Sequence, residues 1–176
     1  MGSDKALLKF GEVTVIQHLI VKLSQISSNI LVVLGDNFEN VKAQIQNTKI
    51  QFNELHDLGM FSSLQKGLSN FESAATFVQM VDQPFVSLEI YRKMISKFDA
   101  ECFVIQPSFQ MKAGHPLLIS EEFSKIIQSY PVNYNLKKII DKYSQKRKFV
   151  EVDNESVLQN LNTKMAFLNE VKKELI

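Results

Sequence analysis

Asp82 is the residue whose surroundings first indicate chemistry. It lies in the stretch from Thr76 to Phe85, TFVQMVDQPF, whose apolar part is typical of a buried strand that stops at a carboxylate. Ligands bind outside the carboxyl ends of strands in open α/β sheets, so an acid in this place predicts a metal-ion site. Aspartate and proline are also ordinary turn residues, and Asp82 could instead order the loop before a helix that follows Ser87.

The elements that would position Asp82 alternate between strands and helices. Apolar residues recur every three or four positions from Val13 to Ile26, which predicts a helix that Thr14 could cap. The run from Asn29 to Gly35, NILVVLG, is short, continuous and β-branched, as in a strand covered on both faces of a parallel sheet. We predict further strands at 49–53, 102–105 and 148–152 and a short one at 117–119 near the sheet's edge or end, with helices at 38–45, 62–71, 87–98, 120–129 and 134–143 and a terminal helix from about Thr163. This alternation predicts an α/β fold with a doubly wound, mostly parallel sheet and helices on both faces.

Composition limits the classes of function. A chain of 176 residues fits a single domain over 1–176, and 20 basic residues against 19 acidic ones give no electrostatic footprint for nucleic acid or an anionic membrane. The single Cys102 excludes an internal disulfide and is more typical of a buried strand than of a nucleophile. No apolar run approaches the roughly 20 residues that a membrane span needs, and we expect a cytoplasmic protein.

Separated pieces of the chain resemble the nucleotidyltransferases of the molybdenum-cofactor type, the MobA-like NTP transferases. Residues 1–8, MGSDKALL, resemble the end of their signature L-A-A-G-x-S-x-R-M-G-x-x-K-x-L, and Lys5 matches the lysine that meets the nucleotide phosphates. Residues 59–68, GMFSSLQKGL, resemble the G-M-x-x-S-L-x-x-G-L segment of the nucleotide pocket. Residues 81–84, VDQP, resemble the family's G-D-Q-P, whose aspartate binds a divalent metal.

Two further segments extend the resemblance towards the end of the chain. Residues 114–116, GHP, resemble the acceptor-facing G-H-P of the cytidylyltransferase branch. Residues 160–163, NLNT, are similar to the family's N-x-N-T-P-E-D segment, although Lys164 replaces the proline, and Asn162 matches the second metal ligand. The resemblance therefore implies the nucleotide-diphospho-sugar transferase-like fold with these roles: catalysis by Lys5 and Asp82, nucleotide binding by Lys5, Gly59, Ser62 and Ser63, acceptor binding by Gly114, His115 and Pro116, and a Mg²⁺ site at Asp82 and Asn162.

The implied activity is transfer of a nucleotidyl group from CTP or GTP to a phosphorylated acceptor such as molybdopterin, with the cytidylyl branch slightly favoured. Such catalysis consists mostly of positioning and of charge neutralisation by cations. Two other functions stay open: a sugar- or polyol-phosphate nucleotidyltransferase of the same fold, and a non-catalytic binding or regulatory module. Some residues also have plainer interpretations. Lys5 could be a solvated lysine, Ser62 and Ser63 helix caps, and His115 the partner of a loop carbonyl.

The first half of the signature, L-A-A-G-x-S-x-R, and the central strand that precedes it in the family are absent from the sequence given. That loop presents backbone N–H groups to the nucleotide, and the strand pairs with two neighbours. The chain could be a shortened product, another segment or subunit could fill the gap, or the two halves of the sheet could pair directly. We expect either strand donation from a partner, as in a homo-oligomer with strand exchange, or weakened nucleotide binding.

Overall fold

The computed structural model describes residues 5–160. The terminal helix predicted from Thr163 and the predicted metal ligand Asn162 lie outside this part of the chain. The helices are α1 (Val15–Ser24), α2 (Phe38–Lys42), α3 (Met60–Leu68), α4 (Leu88–Ser96), α5 (Glu121–Gln128) and α6 (Leu136–Lys142). The strands are β1 (Lys9–Phe10), β2 (Val13–Thr14), β3 (Leu31–Leu34), β4 (Lys49–Phe52), β5 (Ala75–Val78), β6 (Val104–Phe109), β7 (Lys112–Ala113), β8 (Leu117–Ser120) and β9 (Arg147–Glu151).

The main strands form two separate groups. Strands β3 and β4 pair in parallel, and the larger group has the order β5-β8-β6, with β7 and β9 also paired to β6. Strand β8 is antiparallel to both β5 and β6, so these two run in the same direction, and β9 is parallel to β6. The predicted α/β fold is confirmed. The prediction that residues 117–119 lie near the sheet's edge or end was wrong, because β8 is an interior strand.

Helices cover both faces of the larger group, as a doubly wound fold requires. Leu117 and Ile119 of β8 belong to the apolar cluster that contains residues of α3, α5 and α6. Leu118, between them, belongs to the cluster that contains residues of α4. Successive strand residues point to opposite faces, so these clusters lie on opposite sides of the sheet. Within residues 5–160, no helix has the length and apolar character needed to cross a membrane.

Helix α1 begins two residues later than the helix predicted from Val13. Val13 pairs with Phe10 in the β1–β2 hairpin, whose turn includes Gly11 at a φ of 60°. Thr14 then caps α1: its hydroxyl accepts a hydrogen bond from the amide of Gln17, and the Gln17 side chain accepts one from the amide of Thr14. This reciprocal capping box fixes the point where the helix starts.

Strand β5 ends four residues before Asp82, so the prediction that the strand runs up to the carboxylate was wrong. The side chain of Gln79 explains the early end. Its amide nitrogen donates to the carbonyl oxygens of Met80 and Gln83 at 2.7 and 2.9 Å, and its Oε1 accepts a hydrogen bond of 2.5 Å from the fully buried Tyr91. These bonds stabilise a turn over residues 80–83, and Asp82 lies in that turn.

Candidate functional site

Lys5 and Asp82 meet in space although they are far apart in the sequence. Lys5 opens a short 3₁₀-helix (Lys5–Leu7), and its Nζ lies 3.2 Å from Oδ2 of Asp82. The two side chains are 30% and 22% exposed, so the pair is partly shielded from solvent. Within residues 5–160, the Lys5 ammonium is the hydrogen-bond donor to the Asp82 carboxylate. The carboxylate therefore does not order its own turn by bonding to nearby amides, which was the plainer interpretation of this residue.

The turn that carries Asp82 is anchored on both sides. Val81, before it, packs into two apolar clusters with residues of the β1–β2 hairpin and α1. After it, the ammonium of Lys22 on α1 donates to the carbonyl oxygens of Pro84 and Val86 at 2.5 and 3.2 Å. Phe85 and Val86 are buried. The position of the Asp82 carboxylate is thus fixed by packing and hydrogen bonds that do not involve the carboxylate.

His115 lies within electrostatic reach of Asp82. Burial lowers the pKa of His115 below its ordinary value, and the negative charge of Asp82 acts in the opposite direction. Its ring Nδ1 is buried and has no hydrogen-bond partner among the described residues. The plainer interpretation, a hydrogen bond to a loop carbonyl, is therefore not met at Nδ1 among the described residues. Burial favours the neutral imidazole, which can both donate and accept a hydrogen bond.

Glycine and a polar network hold the loop of His115. A Cβ on Gly114 would lie 2.4 Å from the carbonyl oxygen of Val157, so only glycine permits this close approach. The amide of His115 donates to the same oxygen at 2.9 Å, and the peptide bond between His115 and Pro116 is cis. Gln106 donates to the carbonyl of Gly114 at 2.8 Å. Arg147 donates in turn to Oε1 of Gln106, which completes the support of residues 114–116.

The predicted nucleotide segment begins at Gly59, which adopts a φ of 94° and precedes α3 as its N-cap residue. Ser62 and Ser63 lie inside the first turns of the helix and not at its cap, so the cap interpretation was wrong. The hydroxyl of Ser62 is committed to the protein, because the carbonyls of Leu55 and Gly59 lie 2.8 and 2.7 Å from it. Ser62 is also buried, whereas Ser63 is only partly buried.

Asn53 organises this segment and was not recognised as a site residue from the sequence. Its Nδ2 donates to the hydroxyls of Ser62 and Ser63 at 2.9 and 3.0 Å, and its Oδ1 accepts from the amide of Leu55. The residue is 1% exposed. The sequence could have indicated this role, because the amide side chain of Asn53 directly follows the strand-like run from Lys49 to Phe52.

A cavity of about 620 Å³, which we call the central cavity, connects these segments. Its lining includes Ala6 beside Lys5, Val81 beside Asp82, Met60 and Ser63 of α3, and the loop after β3 at Gly35. The lining therefore includes the chain neighbours of Lys5 and Asp82 and the start of α3, at the carboxyl ends of β3 and β5, where open α/β sheets bind ligands.

A second polar cluster lies at the ends of β3 and β4. The Nδ1 of His56 is 3.2 Å from Oδ1 of Asp36 and 3.3 Å from Oδ1 of Asp57. Both aspartates are largely exposed, and these are groups that could hold a metal ion. No motif in the sequence indicated a role for any of the three.

Known structures share this fold. A nucleotidyl transferase from Methanothermobacter superposes with a TM-score of 0.80 over 97% of this chain and 85% of its own, at 20% identity. The Mycobacterium tuberculosis protein Rv0371C, in complex with manganese, gives a TM-score of 0.80 over 97% of this chain and 93% of its own, at 18% identity. At these identities the likeness shows the fold alone.

Sequence comparison adds the family. The chain belongs to the MobA-like NTP transferase domain family, whose model matches residues 1–148, and the predicted resemblance is confirmed. A probable molybdenum cofactor guanylyltransferase from Methanosarcina mazei is 26% identical over 121 residues, which are 65% of this chain and 54% of that protein. The chain thus spans about half the length of this curated relative.

Proposed function

We propose that the protein transfers a nucleotidyl group from a nucleoside triphosphate to a phosphorylated acceptor, molybdopterin, and releases pyrophosphate. Membership of the MobA-like family supports the reaction class. The name of the Methanosarcina relative supports a molybdenum-cofactor acceptor. The single observation that carries the proposal is the pairing of Lys5 with Asp82, whose chain neighbours Ala6 and Val81 line the central cavity, with His115 in electrostatic reach.

The chemistry needs positioning and charge compensation more than a covalent protein intermediate. An oxygen of the acceptor phosphate attacks the α-phosphorus of the nucleotide, the bond to the bridging oxygen breaks, and pyrophosphate leaves with those electrons. Lys5 would offset the charge that accumulates on the phosphate oxygens. Its ion pair with Asp82 holds the ammonium in place before substrate binds, which limits the reorganisation needed when the phosphates arrive.

Asp82 suits a divalent cation. Mg²⁺ takes one or two carboxylates and completes its shell with water and phosphate oxygens. The turn of residues 80–83 presents such a carboxylate, and within residues 5–160 its hydrogen-bond donor is the Lys5 ammonium and not a backbone amide. We propose Asp82 as the protein ligand for Mg²⁺, and Asn162 as a second one on the family resemblance. The bound ion would polarise the phosphate oxygens. Manganese in the complex with the related mycobacterial fold supports a divalent metal.

The start of α3 is the proposed nucleotide contact. Gly59 leaves the first amides of the nine-residue helix without a side-chain cap, and helix N-termini favour anionic groups. Ser63 lines the central cavity, and its hydroxyl can donate to a nucleotide while it accepts from Asn53. Ser62 acts as a positioning residue, because its proton is directed to carbonyl oxygens of the protein.

The acceptor side of the proposed site is the loop at residues 114–116, with the side chain of His115 in electrostatic reach of Asp82. Which base the nucleotide carries is a separate question. The Gly114-His115-Pro116 motif favours CTP, whereas the name of the Methanosarcina relative favours GTP. Pyrophosphate release measured with CTP, GTP and ATP, each with molybdopterin and Mg²⁺, distinguishes the two.

The test of the site uses matched pairs of variants. Lys5→Met and Asp82→Asn should each lower kcat/KM for pyrophosphate release by roughly 100-fold or more, as is usual when a group that stabilises transition-state charge is removed. The controls Lys9→Met and Asp153→Asn change exposed residues of the same types and should retain activity. Wild-type levels of activity in Lys5→Met or Asp82→Asn would refute the assignment. Pyrophosphate release with sugar phosphates but not with molybdopterin would refute the acceptor.

A further inference from the structure

A second group of metal-ligand side chains lies in the loops that follow β3 and β4. Asp36 comes two residues after β3, and His56 and Asp57 open the 3₁₀-helix that precedes α3. Strands β3 and β4 pair in parallel, and the amide of Asn53 extends the ladder by donating to the carbonyl of Leu34 at 2.8 Å. The two loops therefore leave the sheet side by side, which brings these residues into contact.

The ligand atoms of the three side chains converge. The Nδ1 of His56 is 3.2 Å from Oδ1 of Asp36 and 3.3 Å from Oδ1 of Asp57, and one ligand atom from each residue lies within 4.8 Å of the other two. Donor atoms that are about 2.0–2.1 Å from a tetrahedral Zn²⁺ lie about 3.3 Å from one another. The two contacts of His56 already have this spacing. The aspartate side chains are 78% and 88% exposed, so rotation of their carboxylates can close the third contact.

Packing holds the imidazole in this position. A Cβ on Gly35 would lie 2.7 Å from the Cβ of His56, so glycine permits the close approach of His56 to the end of β3. The ring of Phe52 lies on another side, with its centroid 6.0 Å from that of the imidazole. The His56 side chain is only 22% exposed. The nitrogen donor is thus preorganised, and the surface cavity of about 440 Å³ that Asp36 borders gives an ion a path from solvent.

The donor set decides the class of ion. Mg²⁺ and Ca²⁺ are bound through oxygen atoms, whereas an imidazole nitrogen suits Zn²⁺ and the neighbouring transition metals. One nitrogen and two carboxylate oxygens match three of the four positions of a tetrahedral Zn²⁺ and leave the fourth for water.

We propose that Asp36, His56 and Asp57 bind one divalent transition-metal ion, best matched by Zn²⁺, at a site that does not include Asp82. The ion would join the loop after β3 to the loop after β4. The carbonyl of His56 accepts a hydrogen bond of 2.9 Å from the amide of Gly59, the N-cap residue of α3. A metal on His56 therefore also orders the segment that leads into α3.

The experiment titrates the full chain with Zn²⁺ in excess Mg²⁺ by isothermal titration calorimetry. His56→Ala removes the nitrogen donor. The double variant Asp36→Asn with Asp57→Asn removes both carboxylates at exposed positions, so this test does not depend on the packing of His56. The controls are Asp82→Asn, which changes the proposed Mg²⁺ ligand, and Asp153→Asn, which changes an exposed aspartate of another loop.

The wild type and both controls should bind one equivalent of Zn²⁺ alike. Each site variant should bind at least about 10-fold more weakly, since the loss of a mere hydrogen-bond partner of a metal ligand already costs about 10- to 100-fold in affinity. At a 100-fold excess over Kd, Zn²⁺ should raise the Tm of the wild type by about 5 °C or more. It should also slow amide exchange over residues 56–59.

Equal zinc binding by the wild type and the site variants would mean an adventitious ion only and would overturn the proposal. Absence of zinc binding would overturn it too, and would leave the contacts as ion pairs of a protonated His56. Binding that is lost in Asp82→Asn but kept in the site variants would place the zinc at Asp82 and refute the assignment. Since no readout depends on turnover, failure here and failure of the proposed function are separate results.

Discussion

Asn53 offers the most quantitative test of how the site is built. Its side chain makes three hydrogen bonds within a buried environment: two from Nδ2 to the serines of α3 and one from the amide of Leu55 to Oδ1. The Asn53→Ala variant removes all three and leaves the Leu55 amide without this acceptor. Ser62 retains its carbonyl acceptors and loses only a donor.

The expected loss of stability follows from these contacts. A buried hydrogen bond contributes about 1 kcal/mol, and a buried group left unpaired costs about 1–3 kcal/mol. We therefore expect Asn53→Ala to lower the free energy of unfolding by about 2–4 kcal/mol, which corresponds to a Tm lower by roughly 5–15 °C. Asn53→Asp should be milder, because it keeps an acceptor for the amide of Leu55 and Ser63 can donate to it.

Urea unfolding followed by circular dichroism measures this difference. Asn70→Ala is the matched control, since Asn70 is exposed and its Nδ2 makes a single bond to Ser69. That variant should stay within about 0.5 kcal/mol of the wild type. If Asn53→Ala loses no more stability than Asn70→Ala, the reasoning that Asn53 organises the start of α3 is refuted.

Two further changes address other parts of the structure. Gly114→Ala should destabilise the protein by about 1–3 kcal/mol in the same urea assay and weaken acceptor binding, because its Cβ would lie 2.4 Å from the Val157 carbonyl oxygen. His18 stacks on Phe10, and burial, with the nearby positive charge of Lys22, lowers its pKa from 6.5 to about 4. The unfolded chain therefore binds the proton more readily between these pH values, so the free energy of unfolding should fall as the pH drops from 6.5 to about 4. His18→Gln should make this dependence on pH weaker, which urea midpoints measured across the same range would show.

Local patterns in the sequence predicted most elements well. The β-branched apolar run before Gly35 forms β3, Thr14 caps α1, and α5 starts directly after Ser120 within the helix predicted over 120–129. Cys102 is buried, as its apolar surroundings indicated, although β6 starts two residues later. These features depend on interactions between neighbours in the chain, which is why composition and periodicity detect them.

Features that depend on distant residues were predicted less well. Nothing in a run of three apolar residues at 117–119 tells which strands will flank it, and β8 proved to be interior and antiparallel. The apolar pattern continues through Met80 and Val81, yet β5 stops at Val78. The strand stops there because the side chain of Gln79 accepts a hydrogen bond from Tyr91 of α4, a residue that is distant in the sequence. The family resemblance implied that Lys5 and Asp82 belong to one site, but the ion pair between them was not predicted from the sequence.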